Sequence, residues 1–214
     1  MDCDGVIFDT NKMKCDAYRY ALADAPSAVV DDLVRYHQKT GGVSRYLKID
    51  RFYRHMHRVP MPDEAIAMAL QRYSAFCEDG YSHMRPRPES LAFAERFGAA
   101  RVEVVSGSDE AELRRVFADQ GISQRFAAIH GSPVAKAEHM ARVLGERQVR
   151  AADALFVGDG GGDWEAARTL SLPFVFLQEM SEWRDGAATI ARAIDEGATA
   201  AIARDWAELL RAAA

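Results

Sequence analysis

From residue 102 onward the chain repeats one arrangement: a short apolar run, a few small polar residues, then an amphipathic stretch at helical spacing. The apolar runs are Val102 to Val105, Phe126 to Ile129, Ala154 to Val157 and Phe174 to Leu177. Helices fit at Asp109 to Gln120, Ala135 to Leu144 and Trp164 to Leu170, with another at Glu89 to Phe97 ahead of the first run. Runs this short and this apolar read as strands covered on both faces. Strands that alternate with helices require right-handed crossovers, and these build a parallel sheet with helices on either side. The predicted fold class is therefore α/β, and in such sheets a ligand sits beyond the carboxyl ends of the strands.

The preceding stretch has no strand pattern. Between residues 11 and 80, turn signals divide it into about four helices. The first runs near Met13 to Ala23 and stops before Pro26; the second uses Val29, Val30, Leu33 and Tyr36 and ends at Gly41 and Gly42. The third takes Tyr46, Leu47, Ile49, Phe52 and Tyr53 as far as Val59 and Pro60. The fourth starts after Pro62, with Asp63 and Glu64 suited to its first turn, and reaches Gly80. The prolines of MRPRPES then mark a linker. The pattern gives an all-helical unit, 11–85, followed by an α/β part, 86–214.

A formal charge of -5 and a pI near 5.7 give no basic excess for nucleic acid or a membrane surface. No apolar stretch has the length of a membrane span, and acids at position 2 onward do not resemble a signal peptide. Three cysteines without CxxC spacing argue against a disulfide framework. The expected location is cytoplasmic.

Each predicted strand ends in residues suited to phosphate or metal. VEVV leads to Ser106, Gly107 and Ser108 before a helix; AAIH leads to GSPVAK, which delivers Lys136; LFV leads to GDGGGDW, with Asp159 and Asp163 around three glycines. The chain opens MDCDGVIFDT, with Asp2 and Asp4 one residue apart. Taken singly, Ser108 or Asp109 could cap a helix, Lys136 could be solvated and GDGGGD could be a turn. The glycines lack the GxGxxG spacing of a dinucleotide site. Together the sites supply acids for a hard divalent cation, a lysine against phosphate charge, and hydroxyl and amide donors for phosphoryl oxygens. One aspartate can attack phosphorus while another moves protons.

In these four stretches (DCDGVIFDT, VVSGS, GSPVAK and VGDGGGD, in that order) the chain resembles the haloacid dehalogenase superfamily over essentially its whole length. The resemblance implies a Rossmann-like parallel-sheet core, residues 1–10 and 86–214, with a helical cap of the first type, 11–85, inserted between the first and second motifs. It implies Asp2 as nucleophile and Asp4 as general acid/base, with Ser106, Gly107 and Lys136 binding the phosphoryl group. It implies Mg²⁺ on Asp2, Asp159 and the backbone carbonyl of Asp4, with Asp163 as a further ligand or as a partner supporting the ligands. The aspartate at position 4 sets the chain apart from the carbon–halogen cleaving members. The expectation is a Mg²⁺-dependent phosphatase acting on a small phosphorylated metabolite, such as a sugar phosphate, through an aspartyl phosphate. Alternatives are a sugar phosphomutase or a non-catalytic relative that binds a ligand.

In the helical unit, GGVSRYLK resembles a cap loop that contacts substrate. Ser44 and Arg45 are substrate candidates there, although Ser44 could instead cap the next helix and Arg45 could be solvated. Two departures stand out. Relatives place an apolar strand of about five residues before the first aspartate, where this chain has only Met1. The central strand is thus expected to be missing, through a late recorded start or a truncation. Gly160 stands where relatives often have serine or threonine. His55 and His57 are expected on different sides of a helix at the surface, and Cys3 in packing.

Overall fold

A computed structural model describes residues 1–57 and 63–213. Its first part is helical: α1 (Asn11–Ala21), α2 (Ser27–Lys39), α3 (Arg45–Arg51) and α4 (Asp63–His83). α3 is shorter than its apolar pattern suggests and passes into a single π turn at Phe52–Met56. The expected helix end at Val59 and Pro60, and the Pro62 start signal, lie outside the described residues. α4 runs past Gly80 because that glycine faces α1: a Cβ there would lie 2.8 Å from Met13 Cγ. Along α4 the buried residues Ala69, Tyr73, Cys77 and Tyr81 recur every fourth position, one stripe facing inward.

The remainder alternates strand and helix: α5 (Pro88–Phe97), β1 (Glu103–Asp109), α6 (Glu110–Asp119), β2 (Ala128–Ser132), α7 (Lys136–Glu146), β3 (Phe156–Gly158), α8 (Gly161–Thr169), β4 (Phe174–Leu177), α9 (Gly186–Asp195), β5 (Ala200–Ala203) and α10 (Trp206–Ala212). All strand pairs are parallel, β1 with β2 and β3–β4–β5 in order. Residues 1–3 lie between the two ladders. Met1 N donates to Glu103 O at 2.8 Å, Val105 N to Met1 O at 3.0 Å, and Asp2 N to Val157 O at 2.8 Å. These bonds join β1 to β3 and set Asp2 in the line of the sheet.

The sheet divides two cores. Val104, Val157, Val175 and Leu177 join the cluster that also takes Leu113, Phe117, Phe93 and Trp206 and extends into the helical part through Tyr18, Phe52 and Tyr81. Their strand neighbours Val105, Phe156, Phe174 and Phe176 point the other way, onto Met140, Trp164, Trp183 and Ile190. This alternation is the period-two side-chain pattern of a strand buried on both faces. α9 and β5 are additional to the elements expected from sequence. β5 is an alanine-rich edge strand, half exposed, so its apolar signal is weak.

Candidate active site

The carboxyl ends of the strands converge as the sheet geometry requires. Asp2, Ser106, Lys136, Asp159 and Asp163 are all buried. Lys136, the first residue of α7, reaches Asp163 Oδ1 by a hydrogen bond and lies 2.8 Å from Asp2 Oδ1. The second contact is off the hydrogen-bonding direction, so Asp2 Oδ1 remains a buried oxygen without a hydrogen bond. Asp163 turns back over its loop, where its Oδ2 accepts from Gly160 N at 2.9 Å and Asp159 N at 3.3 Å. Asp159 Oδ2 accepts from Asn11 Nδ2 at 2.6 Å, which also donates to Met180 O.

Asp2, Asp159 and Asp163 bring one oxygen each within 4.8 Å of one another. Three buried carboxylates against one lysine leave a deficit of positive charge. Burial, then the charge of Asp163, raises Asp2 to about 7 despite Lys136. Asp159 is raised for the same reasons. Burial works against the Lys136 ammonium, yet Asp163 and Asp2 outweigh it and raise its pKa. An all-oxygen set with an unpartnered buried oxygen fits a hard divalent cation.

Asp4 is held differently. Its Oδ1 accepts from Thr10 Oγ1 at 2.6 Å and Tyr81 OH at 2.5 Å, and its Oδ2 from Ser108 Oγ at 2.6 Å. Lys14 Nζ stands 3.6 Å from Oδ1 and donates to Ser108 Oγ at 3.0 Å. Burial alone would raise Asp4, but the Lys14 charge and the three hydroxyl donors hold it at about 2. In this arrangement Asp4 is an ionised acceptor, and its carboxylate lies outside the three-acid cluster.

The helical part closes over these groups. Gly162 N donates to Gly41 O at 2.8 Å. Gly42 has φ +87°, and a Cβ there would lie 2.8 Å from Asp163 Oδ1. A Cβ on Gly160 would come within 2.6 Å of Gly41 C and O. Glycine faces glycine across this contact, and the residue expected as a departure is what the close approach requires.

Beneath the loop is a cavity of about 40 Å³ lined by Asp2, Asp4, Asp159, Ser106, Lys14 and Arg45, among others. Gly107 lines it as well, with its backbone against Gly42. Arg45 is buried: its Nη1 contacts Glu112 Oε2 at 2.9 Å and Ser74 Oγ at 3.0 Å, while its Nε and second Nη lack partners. Ser44 Oγ accepts from Tyr46 N at 3.3 Å and so caps α3. A wider groove of about 540 Å³ lies outside the loop, between Leu47, Val134, Trp164 and Trp183.

The predicted residues Asp2, Asp4, Ser106, Gly107, Arg45 and Asp159 thus share one cavity; Lys136 touches Asp2 and Asp163 and also lines the wider groove. His55 is exposed and His57 stacks on Phe52. Cys3 is buried in the core. The sequence reading missed Thr10, Asn11, Lys14 and Tyr81, which hold Asp4 and Asp159. A signal for Lys14 did exist: it lies on the buried stripe of α1 with Ala17, Tyr18 and Ala21, where a charge needs a partner.

A parallel α/β sheet with acids, lysine and serine gathered at its strand ends defines a hydrolase fold of one kind. The chain belongs to the haloacid dehalogenase-like hydrolases, whose family model matches residues 1–170. Among solved structures it is similar to a haloacid dehalogenase-like hydrolase from Streptococcus pneumoniae, with 16% identity, 100% of this chain and 96% of that one covered, and a TM-score of 0.70. A hydrolase from Pseudomonas syringae gives 17%, 98%, 94% and 0.75 in the same terms. CbbY from Rhodobacter sphaeroides, solved with xylulose-1,5-bisphosphate, gives 20%, 97%, 93% and 0.71. At such identities the likeness is one of fold. No curated protein matches the chain. No described helix is long and apolar enough to cross a membrane.

Proposed function

We propose that the protein is a phosphatase for a small phosphorylated metabolite, with residues 1–10 and 86–214 as its catalytic core and 11–85 as a cap. The observation that carries this reading is the convergence of buried Asp2, Asp159, Asp163 and Lys136 at the strand ends, beside a cavity lined by Asp2, Asp4 and Asp159. CbbY, a structural neighbour, was solved with a phosphorylated sugar, which supports a substrate of that size.

In this reading Asp2, Asp159 and Asp163 hold Mg²⁺, aided by the backbone carbonyl of Asp4. The ion supplies positive charge against the phosphoryl oxygens and keeps Asp2 ionised. A carboxylate oxygen of Asp2 attacks phosphorus and the bond to the leaving oxygen breaks, giving an aspartyl phosphate. Lys136 and Ser106, with the Gly107 backbone, hold the phosphoryl oxygens. Water then attacks phosphorus as Asp4 takes its proton, restoring Asp2 and releasing phosphate. At about 2, Asp4 is ionised but weakly basic, so taking that proton also requires its contacts with Lys14 and Tyr81 to loosen. To protonate the leaving oxygen in the first step it must loosen its contacts with Lys14 and Tyr81, both from the cap.

Arg45, two of whose buried nitrogens lack partners, and Lys14 both line this cavity. A leaving group carrying an anionic or hydroxyl group suits them.

Hydrolysis of an aryl phosphate with Mg²⁺, followed by release of free phosphate, tests the proposal. Asp2→Asn should reduce the rate by about 10³-fold or more, in line with loss of a nucleophile. Activity that survives Asp2→Asn would overturn it, and isomerised sugar phosphate without free phosphate would indicate a mutase instead.

A further inference from the structure

On the α7 side of β2, outside the cavity described above, a second group of metal-ligating side chains comes together. His130 lies on β2, His139 on α7 and Glu110 in the first turn of α6. Both imidazoles are buried, and the three residues bring one ligand atom each within 4.8 Å of one another.

The hydrogen bonds give the two rings a common orientation. His130 Nε2 lies 2.7 Å from Glu103 Oε2, and His139 Nε2 lies 2.8 Å from Gly131 O. Both partners only accept, so each Nε2 carries the hydrogen and each Nδ1 keeps its lone pair. A carboxylate or backbone carbonyl behind the distal nitrogen is the support that metal-binding histidines ordinarily have. The two Nδ1 atoms then meet at one point, and a cation is already there: Arg142 places a single guanidinium nitrogen 3.1 Å from His130 Nδ1 and 2.9 Å from His139 Nδ1. Arg142 is exposed and makes only these two hydrogen bonds among the described residues. It can swing into water at little cost.

We propose that His130, His139 and Glu110 form a second metal site, distinct from the three aspartates, which takes a borderline transition ion and which Arg142 fills when no ion is bound. Two imidazole nitrogens and a carboxylate select Zn²⁺ or Co²⁺ over Mg²⁺, which prefers oxygen ligands. Glu110 Oε2 accepts from Gly131 N at 3.1 Å and stands 4.0 Å from His139 Nε2, the ring nitrogen away from Arg142, so its carboxylate would turn toward the Nδ1 side to complete the site. A bound ion would tie α6, β2 and α7 together, and α7 begins with Lys136. Occupancy of this site therefore bears on the segment that delivers the catalytic-site lysine.

The test is titration of the full-length protein with Co²⁺ in the presence of saturating Mg²⁺, followed by visible absorption and calorimetry. One Co²⁺ per chain should bind with the absorption of nitrogen ligation. His139→Ala should abolish it, and Glu103→Gln should weaken it about 10- to 100-fold, the usual effect of losing a supporting partner. Arg142→Ala, at an exposed position where folding is not at issue, should tighten it about tenfold by removing the competing cation. Absence of Co²⁺ binding in the wild type, binding that survives His139→Ala, or an Arg142→Ala protein that binds no more tightly would each overturn the proposal.

Discussion

At Asp2 two requirements oppose each other: the residue is fully enclosed, yet a nucleophile must be ionised. Burial and the neighbouring Asp163 raise it to about 7. The folded chain therefore retains a proton that the unfolded chain releases near pH 4. Because this pKa is raised, the associated stability is complete below about pH 4 and is lost as pH climbs to about 7. A divalent ion takes the place of such protons, so Mg²⁺ should raise the melting temperature more at about pH 7.5 than at about pH 5. Each kcal/mol corresponds to roughly 2–4 °C for a chain of this size, so melting curves with Mg²⁺ and with chelator will resolve the difference. Equal shifts at the two pH values would contradict it. Asp4 gives the opposite sign. Tyr81→Phe removes one of its donors and should raise it from about 2 toward the ordinary carboxylate range. The acid limb of the rate profile should follow upward by about one unit, and further for Lys14→Met, which also removes a charge. Ser106, Lys136, Asp159 and Asp163 stood out in sequence because they follow apolar runs, and Asp2 and Asp4 because two acids open the chain one residue apart. Tyr81 did not, because it lies on a helix whose pattern reports only burial, and Lys14 showed only as a charge on a buried stripe.

Between elements, the decisive contact is the loop after α2 lying on the loop before α8. It joins Gly41 to Gly162 by a backbone hydrogen bond and leaves no room for a side chain on Gly160. Gly160 has φ -118°, an extended conformation open to any residue, and it sits at the N-cap of α8. Serine is favoured at that position. The cap preference offsets part of the clash, so Gly160→Ser should lower the melting temperature modestly while its Cβ pushes the Gly41 backbone outward. A displacement of about 1 Å at such a contact can cost about 10² in rate. The expected outcome is a well-folded protein with kcat/KM for an aryl phosphate reduced by about that factor; unchanged kinetics would show that this approach is not needed for turnover. The alternating pattern made β1 to β4 readable in advance. It failed at β5, where alanines on a half-exposed edge carry little hydrophobic signal, and at the end of α3, where the apolar spacing continues through a π turn.

Across the whole molecule, the helical part and the α/β part are joined by polar contacts, one half-buried and one enclosed. Tyr46 OH donates to Asp109 Oδ2 at 2.8 Å, and Arg45 pairs with Glu112 of α6 with both side chains almost fully enclosed. Neither pairing could be read from the sequence, since the two members of each lie more than sixty positions apart. The Arg45–Glu112 pair is incomplete: two guanidinium nitrogens and Glu112 Oε1 lack hydrogen-bond partners. A buried pair need not stabilise, but losing one member strands the other. Glu112→Gln leaves the Arg45 cation enclosed and deprives Lys14 of an acid 3.8 Å away, so it should cost about 3–5 kcal/mol. Arg45→Met should cost a similar amount. The double variant Arg45→Met with Glu112→Leu removes both charges and should recover most of that loss, so melting temperatures of the four proteins form a cycle that measures the coupling. Kinetics on the same proteins separate packing from recognition. If the free nitrogens of Arg45 bind the leaving group, the double variant regains stability while KM for an anionic substrate stays raised. If Arg45 serves only to join the two parts, KM recovers together with the melting temperature.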